Sequence, residues 1–318
     1  MRKTFSLLLT ALALAAGAAH GATATLQETP ALRTPSATHA MLLGAARAGD
    51  RIVAVGDHGV VLLSDDNGRQ FRQAQQVPTR ALLTAVHFVD ARNGWAVGHH
   101  GVVLHTADGG ETWALQRSDT GVDQPLFSVL FRDKQHGFAV GLWSLLLVTE
   151  DGGHTWRKQD VPAPPGGDKS DRNFFRLFAG ADGTLLIAAE QGLVLRSTDQ
   201  GAHWSYQQTG YKGSFWSGAS LRDGTLMVAG MRGTVYRSAD GGVTWSKVES
   251  GTASSVTDLV STASGVAGVG QDGATIQGGA DGHLHAHTRA DRAELTAVVQ
   301  AADGRLVSFS SHGVVAPE

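Results

Sequence analysis

The sequence predicts an all-β fold, a seven-bladed β-propeller with four-stranded antiparallel blades, and three observations carry that reading. A five-residue phrase recurs seven times, at Val55–Gly59, Val97–Gly101, Val140–Ser144, Ala188–Gly192, Ala229–Gly233, Val269–Gly273 and Phe309–Gly313. Its copies start 40 to 48 residues apart, the length of one four-stranded blade. An eight-residue turn, Ser/Thr-x-Asp-x-Gly-x-x-Trp/Phe, follows the phrase in fixed register in five blades. No helical period of comparable regularity competes with either.

The chain opens with Arg2 and Lys3, an apolar run from Phe5 to Ala16, and small residues around Ala19–Ala22. That order reads as a secretory signal peptide over residues 1–21, which places the mature chain in the periplasm with residues 22–318 as one propeller domain. Zero cysteines exclude disulfides, thiol catalysis and zinc–thiolate sites. No later run of about 18 apolar residues is present, so the mature chain is expected to be soluble. The formal net charge is −3 and lacks any basic block, which argues against a nucleic-acid partner. A monomer is expected.

Residues 82–117 illustrate a blade. Leu82–Phe88 is apolar enough for an inner strand, and Asn93-Gly94 signals a tight turn. Trp95–Gly98 and Val102–His105 are the second and third strands, joined by His99-His100-Gly101. The turn Thr106–Trp113 then feeds a fourth strand. This last turn is the Asp-box, or bacterial neuraminidase repeat. Its aspartates are Asp66, Asp108, Asp151, Asp199 and Asp240. Each should accept backbone N–H groups within its own turn while glycine supplies positive φ and the aromatic packs on neighbouring strands. Paired carboxylates run glycoside hydrolysis, but copies at the same turn of different blades cannot converge on one substrate. No catalytic residue is assigned.

Blade seven shows three strands, Glu294–Gln300, Arg305–Ser310 and Gly313–Ala316. An exposed edge is a liability, so the segment Thr23–Thr34 is expected to add the missing outer strand and close the ring.

Connectivity puts the phrase turns and the blade-to-blade loops on one face and the Asp-boxes on the other. Loops carry function on such scaffolds. The variable phrase position reads His58, His100, Trp143, Gln191, Arg232, Asp272 and His312 around the ring. His58, His100, His312 and Asp272 fall on adjacent blades and are candidate metal ligands by chemistry, against the simpler reading of a polar rim. His283, His285 and His287 lie on one face of an outer strand, where a polar stripe is ordinary. The blade-three-to-four interval carries an insertion over residues 160–172, which leads to Arg172, Phe175 and Arg176. The next loop carries Tyr211 and Lys212. With Trp143, these aromatic and basic residues make the candidate protein-binding face. Gly268–Gly273 matches the dinucleotide fingerprint but opens no helix, and no cofactor is expected.

The phrase running into the Asp-box, seen in Val97–Trp113 and Val140–Trp156, resembles the photosystem II stability/assembly factor family of exported seven-bladed propellers. The resemblance covers the mature chain and rests on scaffold residues. It implies a non-catalytic role, binding a membrane protein subunit during assembly, partly through an arginine-rich face. Arg172, Arg176, Arg196 and Arg232 are the counterparts available here. Two alternatives come from other classes. A sialidase-type hydrolase would need the Phe/Tyr-Arg-Ile-Pro motif, which is missing, and Phe175-Arg176-Leu177 in mid-chain is a poor substitute. The other is a lectin-like or metal-binding propeller.

Overall fold

The computed structural model describes residues 29–279 and 281–317. Blade one consists of β1 (Leu42–Ala48), β2 (Arg51–Gly56), β3 (Val61–Ser64) and β4 (Arg72–Gln73), each antiparallel to the one before. Five further blades repeat this order, and blade seven has three strands among the described residues, Leu295–Gln300, Leu306–Ser310 and Gly313–Val314. The first strand of each blade packs on the first strand of the next, and that of blade seven packs on β1. Seven blades therefore ring one axis. No helix among the described residues is long and apolar enough to cross a membrane.

Every first strand begins with a fully buried apolar residue: Leu42, Leu83, Leu126, Phe174, Phe215, Val256 and Leu295. A register shift follows it in all seven blades, so the next residue bulges out of the ladder. Where that residue is threonine, its hydroxyl joins adjacent blades. Thr84 Oγ1 donates to Leu126 O at 2.7 Å and Thr257 Oγ1 to Leu295 O at 2.8 Å. Thr296 Oγ1 donates to Leu42 O and so ties blade seven to blade one.

The five-residue phrase has two separate physical causes. Its first glycine lets the backbone N–H that follows reach the carbonyl just ahead of the inner strand. In blade two, His99 N donates to Leu82 O at 2.9 Å, and the equivalent bond is present in all seven blades. A Cβ on Gly98 would lie 2.0 Å from that oxygen. The closing glycine answers a different need. His58 and Gly59, at φ 52° and 69°, are the central residues of a turn closed by Val60 N to Asp57 O at 2.9 Å. Positive φ at both centres makes this the hairpin turn that matches strand twist. His100, Trp143, Gln191, Arg232 and Asp272 repeat it.

The Asp-boxes form as expected. Asp108 Oδ1 accepts Thr112 N at 3.0 Å, its Oδ2 accepts Thr112 Oγ1 at 2.6 Å, and Trp113 Nε1 donates to Gly110 O at 2.9 Å.

The described part of the expected closing strand does something else. Residues 29–34 run beside blade one, with Ala31 N donating to Val77 O at 2.9 Å and Gln73 Nε2 to Leu32 O at 2.8 Å. Pro30 and Pro35 lack the N–H that a paired strand requires, and Thr38 already lies over Gly313 as the blade-seven-to-one loop. Closure among the described residues is by the Thr296–Leu42 bond and by Phe71 packed edge-on against Phe309, with ring centroids 5.7 Å apart. The signal segment, residues 1–21, and residues 23–28 of the expected strand lie outside the described residues.

Candidate partner-binding face

The blade-three turn is the outlier of the ring. Trp143 and Ser144 both have positive φ, 53° and 55°, and Ser144 stands where a glycine closes the turn in most other blades. Two consecutive left-handed side-chain-bearing residues persist only when their surroundings hold them. Here the end of the 160–172 loop does so. Arg172 O accepts Ser144 N at 2.6 Å and Ser144 Oγ at 3.1 Å, and Asn173 Oδ1 accepts Trp143 N at 3.1 Å. Asn173 is fixed in turn by Glu190 of the blade-four turn, through Nδ2 to Oε2 at 3.2 Å. The result is an indole that is 53% exposed on a rigid base.

The neighbouring candidates divide by role. Arg172 is mostly buried and pairs with Asp171 at 3.0 Å. Tyr211 donates its hydroxyl to Met231 O at 3.0 Å and packs on Phe215 and Tyr236, so it joins blades four and five. Lys212 beside it is exposed, and so is Arg232 at the blade-five turn. Phe175 and Arg176 are the second and third residues of the inner strand of blade four. Phe175 stacks on Phe127 of blade three at 5.8 Å. Arg176 Nη1 lies 3.7 Å from Asp258 Oδ1 of blade six, which is reachable only across the axis. Arg196 is at the opposite end of its blade, donating from Nε to Gly241 O of the blade-five Asp-box at 2.6 Å. The structure thus gathers seven of the eight candidates on the phrase face and leaves Arg196 on the other.

The metal candidates do not come together. His58, His100, His312 and Asp272 lie exposed on the turns of four different blades, with His58 beside its own neighbour Asp57 at 2.8 Å. No group of three or more His, Asp or Glu among the described residues could hold an ion, His283, His285 and His287 included. The Asp-box carboxylates are turned inward on their own loops. The Thr155 hydroxyl and N–H hold Asp151 down at about 2, and Thr244 does the same for Asp240.

Sequence reasoning missed the axial groups. Asp258 Oδ1 accepts from Ser217 Oγ at 3.0 Å and Leu259 N at 2.9 Å, and its Oδ2 accepts from Val298 N at 3.0 Å. His87 of blade two accepts Phe131 N on Nδ1 at 3.3 Å. Burial, reinforced by the Arg176 charge, pushes this imidazole down to about 4. Aligning the inner strands on the phrase exposes the column Gly44, Ala85, Ser128, Arg176, Ser217, Asp258, Ala297. Its two charged members were the available signal.

Comparison with known proteins fits this architecture. A family model described as photosynthesis system II assembly factor YCF48 matches residues 72–124 and 115–314. The photosystem II assembly protein Ycf48 of Thermosynechococcus vestitus is 42% identical over 41 residues, 13% of this chain and 12% of that protein. The chain thus spans about an eighth of that relative's length. Among solved structures, YCF48 bound to a D1 peptide superposes with a TM-score of 0.70 at 16% identity, over 89% of this chain and 94% of that one. Virginiamycin B lyase from Staphylococcus aureus gives 0.72 at 10% identity, over 90% and 96%. At such identities these two likenesses concern the fold alone. With the family model matching residues 72–314, from the end of blade one through blade seven and more than half of the chain, the chain belongs to the photosynthesis system II assembly factor YCF48 family.

Proposed function

We propose that this protein is a non-catalytic assembly or stability factor of the cell envelope, exported by a cleaved signal peptide, that docks a subunit of a membrane protein complex. Docking uses the phrase face around blades three to five: Trp143, Arg172, Phe175, Arg176, Tyr211, Lys212 and Arg232. The observation that carries the reading is Trp143, exposed in a strained backbone position and held there by Asn173. A rigid aromatic anchor flanked by basic residues is what binding hot spots use. The relative solved with a D1 peptide supplies a precedent for a membrane-subunit segment as ligand.

The non-catalytic part of the reading draws on the Asp-boxes, whose carboxylates serve their own turns. The lyase with the same fold is a reminder that function resides in the site and not in the propeller. The test is a photo-crosslinking residue placed at Trp143 in cells, with the captured proteins identified by mass spectrometry. A membrane protein subunit is expected, absent when the crosslinker sits at Arg237 near the Asp-box turns. Identical captures from both positions would refute the assignment of the face.

A further inference from the structure

The axis of the ring carries an ion pair that is only half made. Asp258 spends both carboxylate oxygens on neutral donors: Oδ1 accepts Ser217 Oγ and Leu259 N, and Oδ2 accepts Val298 N. Arg176 Nη1 approaches Oδ1 only to 3.7 Å, beyond hydrogen-bond length. A guanidinium has five N–H donors and no acceptor. Among the described residues no hydrogen bond matches any of them in Arg176. Its side chain is 36% exposed, so solvent and dissolved ions reach it.

Two further donors border the same stretch of the axis. Ser128 of blade three stands before Arg176 in the axial column, is 2% exposed, and accepts Leu177 N on Oγ at 3.0 Å. That bond uses a lone pair and leaves the O–H proton without an acceptor among the described residues. His87 of blade two accepts Phe131 N on Nδ1 at 3.3 Å, which places the proton of the neutral ring on Nε2. The Arg176 charge acts on this imidazole across the space between them. Ser128 and Phe131 belong to one inner strand, Leu126–Phe131, so blade three is the wall that both neighbours share. Three consecutive blades thus offer N–H and O–H groups, and the column beside them holds a single carboxylate whose oxygens are already taken.

We propose that Arg176, Ser128 and His87 bind a small monovalent anion of chloride size at the axis of the ring. Groups that can only donate call for an acceptor as ligand, and the cation among them calls for a negative one. Charge-assisted hydrogen bonds are roughly twice as strong as neutral ones, which favours an anion over water in this position. The site needs no partner protein, so it stands or falls independently of the docking proposed above.

The probes are chloride in solution and bromide in crystals, where anomalous scattering locates it. Thermal midpoints of the whole protein are compared in sodium chloride and in sodium gluconate, a bulky anion, at one ionic strength. Relative to Arg176→Met, the wild type should gain about 2–4 °C in chloride over gluconate. Ser128→Ala should weaken the apparent chloride affinity about fivefold, the worth of one hydrogen bond. Crystals soaked in sodium bromide should show an anomalous peak against Arg176 and Ser128. Should Arg176→Met fail to fold, the bromide peak and Ser128→Ala still decide. Three results overturn the proposal: an equal chloride response in wild type and Arg176→Met, bromide peaks confined to the outer surface, or water alone against Arg176 in the soaked crystals.

Discussion

Arg176 of blade four and Asp258 of blade six face one another across the axis, with Nη1 and Oδ1 3.7 Å apart. The two ends of this pair are not equivalent. Asp258 is fixed by Ser217 Oγ, Leu259 N and Val298 N, whereas Arg176 reaches it only at the longer distance. Asp258→Ala removes the acceptor of a buried N–H and hydroxyl and should cost about 2–3 kcal/mol. Arg176→Met removes a half-exposed charge at long range and should cost less than about 1 kcal/mol. Urea denaturation of both variants decides the matter, and equal losses would show that the ion pair, not the neutral donors, anchors Asp258.

Gly98→Ala brings a Cβ within 2.0 Å of Leu82 O, which already accepts His99 N. The inner strand must retreat, at a cost of about 2 kcal/mol. Blade four carries Ala189 at the same position and makes the equivalent bond, Glu190 N to Asn173 O, at 3.2 Å. Ala189→Gly should therefore change stability by less than about 1 kcal/mol. A harmless Gly98→Ala, by the same denaturation assay, would remove close backbone approach as the reason for the first glycine.

The blades and their turns were legible because their determinants are local: a glycine at a fixed offset, an aspartate within its own turn, an aromatic eight residues on. The strands read from Trp95–Gly98 and Val102–His105 fall within a residue of those observed at Gly94–Gly98 and Val103–Thr106. What the sequence hid depends on groups far apart in the chain. The register shift that turns Phe127 and Phe175 toward each other, the Asn173 bridge from Trp143 to Glu190, and the meeting of Arg176 with Asp258 all require the closed ring. The path of residues 29–34 was missed for a related reason. Counting strands identified an open edge, but which edge the segment meets is set by Thr38 over Gly313 and by Gln73 beside Leu32.

His87 sets a pH window. Its imidazole sits at about 4 in the fold against about 6.5 in an unfolded chain, chiefly through burial. Below pH 6.5 the unfolded chain takes up the proton first, so stability is full above 6.5 and falls as pH drops toward 4. His105, lowered by burial and by His154, acts in the same direction. The expected loss from His87 is on the order of 2 kcal/mol, allowing for its residual exposure. Protonation also removes the acceptor for Phe131 N. Asp151 and Asp240, held near 2, lose their contribution only below pH 4 and leave this window clear. Denaturation midpoints from pH 7.5 to 4.5 should decline for the wild type and flatten for His87→Gln; parallel curves would discount the axial imidazole.

Trp143 separates stability from binding most sharply. Its indole is 53% exposed and its φ is 53°, a conformation that costs a bulky residue about 1–2 kcal/mol and glycine almost nothing. Glycine also enlarges the freedom of the unfolded chain, which offsets part of that gain. Trp143→Gly should therefore hold the thermal midpoint or raise stability by up to about 1 kcal/mol, while capture of the membrane partner from envelope extracts is lost. A core tryptophan would behave in the opposite way, with stability collapsing. Retention of full capture by a well-folded Trp143→Gly protein would instead show that the strained turn serves no docking role, and the phrase face would lose its anchor.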